Sequence, residues 1–290
     1  MRKRLISAIA ILTILVAMTA SCSKGSGGVV GSDAEDTGDA LVVIDINLTD
    51  EDYGIGVNKN KPELLEKINT FIEEGFKNGK YEEITGHYFG GGGEPVGIPA
   101  GEIDRSKDQL IVATTGDFEP FDYDDGDLQY GIDKELIKAI ADDMGKELVL
   151  VNVNFDLMFI QVSQGKCDAC IAGITINEER KEYVDFTIPY FNAGQCLAAR
   201  EAKNEFKDAK TREEAEEILR NLDAGTTIAV ESKTTGEDYL EGTSGTGFEG
   251  VSCKLLICST LKDCINALNN GSADYVIGDN ATLKYLIANQ

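Results

Sequence analysis

Apolar positions along the chain follow two periods that alternate. Leu41-Val42-Val43-Ile44-Asp45-Ile46 is a compact apolar run and Tyr53–Val57 a second with glycines interleaved, so both predict strands. From Pro62 the spacing turns helical through Leu64, Leu65, Ile68, Phe71, Ile72 and Phe76, and Gly79 lies where that helix can end. Gly90 to Ile103 keeps neither period: four consecutive glycines, then Pro95, Gly97, Pro99 and Gly101, read as a linker without core residues. A phosphate-binding glycine loop does not fit there, because no Gly-Lys-Ser/Thr follows and no strand leads in.

From Leu110 strands and helices take turns. Leu110–Thr114, Leu148–Val153 and Asp168–Ile174 predict strands. Between them, a helix through Leu136, Ile137, Ile140 and Met144 has Asp133 placed to cap it, and a second runs from about Asp156 to Gln164. Thr211-Arg212-Glu213-Glu214 is a capping box for a helix buried through Ala215, Ile218, Leu219 and Leu222. Strands Thr227–Glu231, Lys254–Cys258 and Asp274–Ile277 follow, with helices from Thr260 and through Leu283, Leu286 and Ile287. Two such α/β units joined by extended segments predict two lobes with a cleft between them. Ligands of parallel sheets sit beyond the carboxyl ends of the strands.

Charge narrows the partners: a net charge of −24 argues against nucleic acid or an anionic membrane surface. One histidine, His87, and no tryptophan remove most His-based catalytic and zinc sites, and no cofactor is expected. Arg2-Lys3-Arg4 and the apolar stretch Leu5 to Met18 read as an export signal over residues 1–22. Thr19-Ala20-Ser21 before Cys22 resembles a bacterial lipobox, which would place a lipid on Cys22; Thr19 departs from the usual aliphatic residue, leaving ordinary cleavage as the alternative. Residues 23–39 read as a flexible tether. Six further cysteines in an exported chain allow disulfides of unassigned pairing, and Cys167-x-x-Cys170 falls in an apolar strand pattern that suits neither a metal nor a redox pair.

The stretch with the clearest chemistry is Ala172-Gly173-Ile174-Thr175-Ile176-Asn177-Glu178-Glu179-Arg180. A strand ends at a glycine, a hydroxyl follows, and an arginine lies on what reads as the first turn of a helix. That combination can grip a small carboxylate, and on local sequence alone a surface turn with a solvated arginine is the competing reading.

With Gly116-Asp117-Phe118-Glu119-Pro120-Phe121, Tyr130-Gly131-Ile132-Asp133, Ala172–Arg180, Asp185-Phe186…Pro189-Tyr190, Lys233-Thr234-Thr235-Gly236 and Asp274…Asp279 in order, the chain resembles the extracellular solute-binding proteins of polar amino-acid ABC transporters. The resemblance covers nearly all of residues 41–90 and 108–290. It implies a two-lobed periplasmic-binding-protein-like α/β fold with a hinge. The segment that closes the family's chain resembles Tyr53 to Gly90, which here stands at the front, so the chain reads as a circular permutant with residues 90–107 joining the usual termini. Residues 53–199 are then expected in one lobe, and 40–52 with 200–290 in the other.

Carried over by position, the resemblance gives Arg180 the α-carboxylate of an amino acid, helped by Thr175 and by the backbone N–H of Thr235 or Thr234. Asp279 and the Gly173 carbonyl take the α-ammonium, and Phe118 and Phe155 flank the side chain. Thr115 stands where the family often has an aspartate, and Lys233 where glycine is usual. Glu231 and Glu119 are candidates for a negative charge at the rim. The expected function is extracytoplasmic binding of a polar L-amino acid, by a lipid-anchored monomer, for delivery to an ABC transporter permease. The alternatives are ligand sensing without transport and a dehydratase of cyclic amino-acid precursors.

Overall fold

A computed structural model describes residues 39–290. The signal, the lipobox with Cys22 and nearly all of the tether lie outside the described residues.

Two five-stranded sheets carry the two lobes. In the first, the order is Asp185–Phe186, Gly56–Val57, Ala169–Cys170, Gln109–Thr114, Glu147–Asn152. The last three run parallel, as the βαβ spacing requires, and Gly56–Val57 pairs antiparallel on both sides. In the second, the order is Leu41–Ile44, Gln195–Arg200, Tyr275–Asp279, Thr227–Glu231, Lys254–Cys258. Glu51–Tyr53 and Phe191–Ala193 form a separate antiparallel ribbon where the chain crosses between the lobes. Each sheet has apolar clusters of its own: Val112, Leu136, Ile140 and Leu150 belong to the first, and Leu197, Leu219, Ile228 and Ile277 to the second.

Several expectations need correction. Gln195–Arg200 belongs to the second lobe, because it pairs with Leu41–Ile44 on one side and Tyr275–Asp279 on the other. The crossover is therefore the ribbon at 191–193, and the first lobe does not extend to residue 199. The linker is not coreless: Ile98–Pro99 pairs with Leu128–Tyr130, and Ile98 joins the first lobe's core. The helix Pro62–Asn78 does end at Gly79, whose φ of 81° relieves the strain of the turn, but a second helix, Lys80–Phe89, follows at once. The stretch after Asn177 makes a single 3₁₀ turn, Arg180–Glu182, rather than a helix. Asp133 caps nothing: it lies inside the helix Ile132–Asp143, fully buried, with Gly131 at the N-cap. The six described cysteines are free thiols. Cys167 and Cys170 share one apolar cluster, since Cys167 precedes the strand and is not held to its alternation.

Among the described residues no helix is long and apolar enough to cross a membrane.

Candidate functional site

Between the lobes, beyond the carboxyl ends of Gln109–Thr114 and Thr227–Glu231, lies a cavity of about 330 Å³. Thr115, Phe118, Phe155, Gly173, Thr175 and Arg180 line it from the first lobe, and Thr234, Thr235 and Asp279 from the second. These are the nine ligand-contact residues expected from the sequence. Among the lining residues Arg180 is the single cation, while Asp117, Asp156, Glu231 and Asp279 bring carboxyl groups.

Arg180 is held from behind. Its Nη1 donates to the Thr175 carbonyl at 2.7 Å, and its guanidinium lies 5.1 Å from the Phe155 ring centroid and 5.7 Å from that of Phe159. The backbone N–H of Arg180 donates to Asn177 Oδ1 at 2.8 Å, so Asn177 fixes the turn that aims the side chain. Burial lowers the Arg180 pKa against the opposing carboxylates Glu51, Asp238 and Asp279, and a guanidinium nonetheless stays charged. Phe155 is thus a stacking partner of the arginine as well as a wall of the cavity.

Gly173 is fixed from two sides. Its N–H donates to Asp133 Oδ2 at 2.6 Å, and Asp133 Oδ1 accepts the Tyr190 hydroxyl at 2.8 Å. Burial raises the Asp133 pKa to about 8 against these two hydrogen bonds. A β-carbon on Gly173 would sit 2.4 Å from the Phe118 ring at a φ of 55°, so only glycine brings this backbone so close to Phe118. Since its N–H is spent on Asp133, what Gly173 can offer a ligand is its carbonyl. Thr115 also has its N–H occupied, by Asp122 Oδ2 at 2.9 Å, and Asp122 is ion-paired at 2.9 Å with the fully buried Lys134.

In the second lobe Asp279 ends the strand Tyr275–Asp279 and stands at the N-cap of Asn280–Ala288, yet its side chain makes no capping bond. It accepts instead from the Tyr53 hydroxyl of the crossover ribbon. Burial first, and the nearby Glu51 second, raise its pKa. Thr234 spends its hydroxyl on capping, donating to the Glu231 carbonyl at 2.8 Å and accepting the Glu237 N–H at 3.4 Å. Lys233 adopts a φ of 63°, the left-handed conformation for which glycine is the usual choice. Glu231 lines the cavity with its pKa pushed up to about 8, by burial first and then by Asp117 and Asp279. Glu119 does not line it: its carboxylate meets Lys262 at 3.4 Å outside the cavity, and Asp117 is the acidic residue that this loop turns to the mouth.

One residue of the site went unread in the sequence. Glu51, 6% exposed, accepts hydroxyl hydrogen bonds from Thr49 at 2.6 Å, Thr175 at 2.6 Å and Thr235 at 2.9 Å. The expected hydroxyl contact from Thr175 to a ligand carboxylate is therefore not available as the side chain stands, because its proton points at Glu51. Within Asp50-Glu51-Asp52 nothing local separates this glutamate from a solvated acidic run; the signal lies in the alternation, since Glu51 and Tyr53 are buried and Asp52 between them is exposed.

Known proteins resemble this chain in sequence and in fold. The model of the bacterial extracellular solute-binding proteins, family 3, matches residues 110–238. An arginine-binding extracellular protein of Bacillus subtilis is 32% identical over 97 residues, covering 33% of this chain and 38% of that protein. A cyclohexadienyl dehydratase of Pseudomonas aeruginosa is 34% identical over 98 residues, 32% of this chain and 37% of the enzyme. The chain thus spans well under two-thirds of these curated relatives. The holo form of an arginine-binding protein from T. maritima superposes with a TM-score of 0.51 at 33% identity, covering 64% of this chain and 75% of that structure. An ancestral arginine-binding protein bound to arginine gives 0.53 at 29% identity, over 63% and 75%. With its motifs, its two-lobed fold and these matches together, the chain belongs to the bacterial extracellular solute-binding proteins of family 3.

Proposed function

We propose that the protein captures a polar L-amino acid with a cationic side chain in the cavity between the lobes and passes it to the membrane permease of an ABC transporter. The observation that carries this reading is the charge layout of the cavity: one arginine on an aromatic bed, faced by Asp279, with Asp117, Asp156 and Glu231 around it. Arg180 takes the α-carboxylate, aided by backbone N–H groups at Thr175 and Thr235. Asp279 and the Gly173 carbonyl take the α-ammonium. The ligand's second positive charge, on its side chain, answers the remaining carboxyl groups, Asp117 and Glu231 foremost. Phe118 and Phe155 enclose the apolar part of the side chain. The arginine-binding relatives support this choice of substrate class.

Export, lipidation at Cys22 and a circular permutation belong to the same reading. Supporting the permutation, strands Leu41–Ile44 and Gly56–Val57 complete the two sheets from the front of the chain. The structural matches also take in 64% of the chain, about the share that follows the linker.

Calorimetry with the common L-amino acids, wild type beside Arg180→Ala, tests the function. One-to-one binding of arginine or lysine by the wild type, lost in the variant, is expected. No binding of any of them, or equal binding by the variant, refutes it. A second reading has one observation in its favour: Glu231, held protonated near neutral pH, has the makings of a general acid, and a dehydratase is among the relatives. Loss of water from a cyclohexadienyl substrate, abolished by Glu231→Gln, distinguishes it.

A further inference from the structure

Glu51 stands where the two lobes meet, on the crossover strand Glu51–Tyr53. Its Oε2 accepts from Thr175 of the first lobe and from Thr235 of the second, at 2.6 and 2.9 Å. The Thr235 oxygen in turn accepts from Gln195 Nε2 at 3.1 Å, and the Glu51 Oε1 is held by Thr49 at 2.6 Å. A hydroxyl has one proton to give. Both threonine protons go to the same carboxylate oxygen, so each lobe is tied through a charge-assisted hydrogen bond to one buried group.

We infer that Glu51 is a cross-cleft latch: a positioning residue that favours the closed form before ligand arrives and orients the Thr175 and Thr235 hydroxyls. Two consequences follow from the directions of the bonds. The threonines turn lone pairs rather than protons toward the cavity, so they favour the cationic parts of a ligand. The two hydroxyls also act as a unit, because each bond to Oε2 requires the lobes to be in register. Breaking the unit shifts population toward the open form, which lowers affinity by the fraction of closed form lost. Charge-assisted hydrogen bonds are strong enough for that loss to reach about tenfold.

The latch rests on the cavity being the ligand site, and its test has an arm that needs no ligand. Small-angle X-ray scattering of the ligand-free protein compares wild type with Glu51→Ala and Glu51→Gln. A larger radius of gyration for Glu51→Ala, with a smaller increase for Glu51→Gln, is expected. In the second arm L-arginine is titrated into Thr175→Val, Thr235→Val and the double variant. In the wild-type background the two losses are expected to be non-additive, and in Glu51→Gln additive. An unchanged radius in both Glu51 variants, or the same coupling with and without the carboxylate, overturns the latch. Should Glu51→Ala fail to fold, by circular dichroism, Glu51→Gln decides alone. If wild type binds no L-arginine, that failure counts against the proposed substrate, while the scattering comparison still decides the latch.

Discussion

The two walls of the cavity are made of opposite materials. On the first lobe's wall a guanidinium lies against two phenylalanine rings, and the Gly173 backbone packs closely beside Phe118. On the second lobe's wall Asp279 and Glu231 present carboxyl groups at the ends of neighbouring strands, both acids made weaker by burial. Neither wall complements a zwitterion alone. In the proposed reading an amino acid contacts the arginine and Asp279 together only when the lobes approach each other, which makes its binding free energy also the closing free energy. That is how a small ligand drives a large movement in a hinged protein.

The sharpest way to break this contrast is to remove the charge from one wall at a time. Asp279→Asn and Arg180→Ala are each expected to weaken L-arginine binding at least about 100-fold, since either leaves a buried ligand charge unpaired. A calorimetric Kd within a few-fold of wild type for either variant would mean that one wall suffices. Gly173→Ala comes next: the clash with the Phe118 ring and the positive φ predict about a tenfold weaker Kd and a loss of about 1–2 kcal/mol in urea unfolding.

Acidity sharpens the second wall. With its pKa raised to about 8, Glu231 carries a proton at lower pH and must release it to face a cationic ligand. Affinity for L-arginine is therefore expected to rise with pH and to level off above about 8, by at most about tenfold per unit for one proton. Asp117, Asp156 and Asp279 share the cavity, and Asp279 is raised too, so Glu231→Gln should reduce the slope rather than abolish it. A neutral ligand such as glutamine should show less dependence. The smallest effect is expected from Phe155→Leu, which removes the stack beneath Arg180 for about 0.5–1 kcal/mol, read as a few-fold change in Kd.

The first wall was the more legible of the two in sequence. Periodicity alone placed the strand at 110–114 and the helix at about 156–164, while Gly173, Thr175 and Arg180 fitted a carboxylate grip or an idle surface turn until the resemblance favoured the grip. Long-range pairing was harder to read. Gln195–Arg200 carries a strand pattern that fits either sheet, and its lobe is decided by Leu41–Ile44, more than 150 positions away. Asp133 has the look of a helix cap because acidic residues there usually are, yet it is buried by contacts from Gly173 and Tyr190 that no local spacing reveals. Glu51 was hidden for the same reason: three of its hydrogen-bond donors are hydroxyls, and two of them lie 124 and 184 positions away. Local physics located the arginine. Tertiary pairing alone located the carboxylate behind it.

The claim that each wall holds one charge of a single ligand is most directly tested with ligand analogues on the unmodified protein. Calorimetry would compare L-arginine with its methyl ester, which lacks the carboxylate, and with its des-amino analogue, which lacks the ammonium. Both analogues are expected to bind at least about 100-fold more weakly than L-arginine. An analogue missing either group that binds as tightly as the parent would contradict the account.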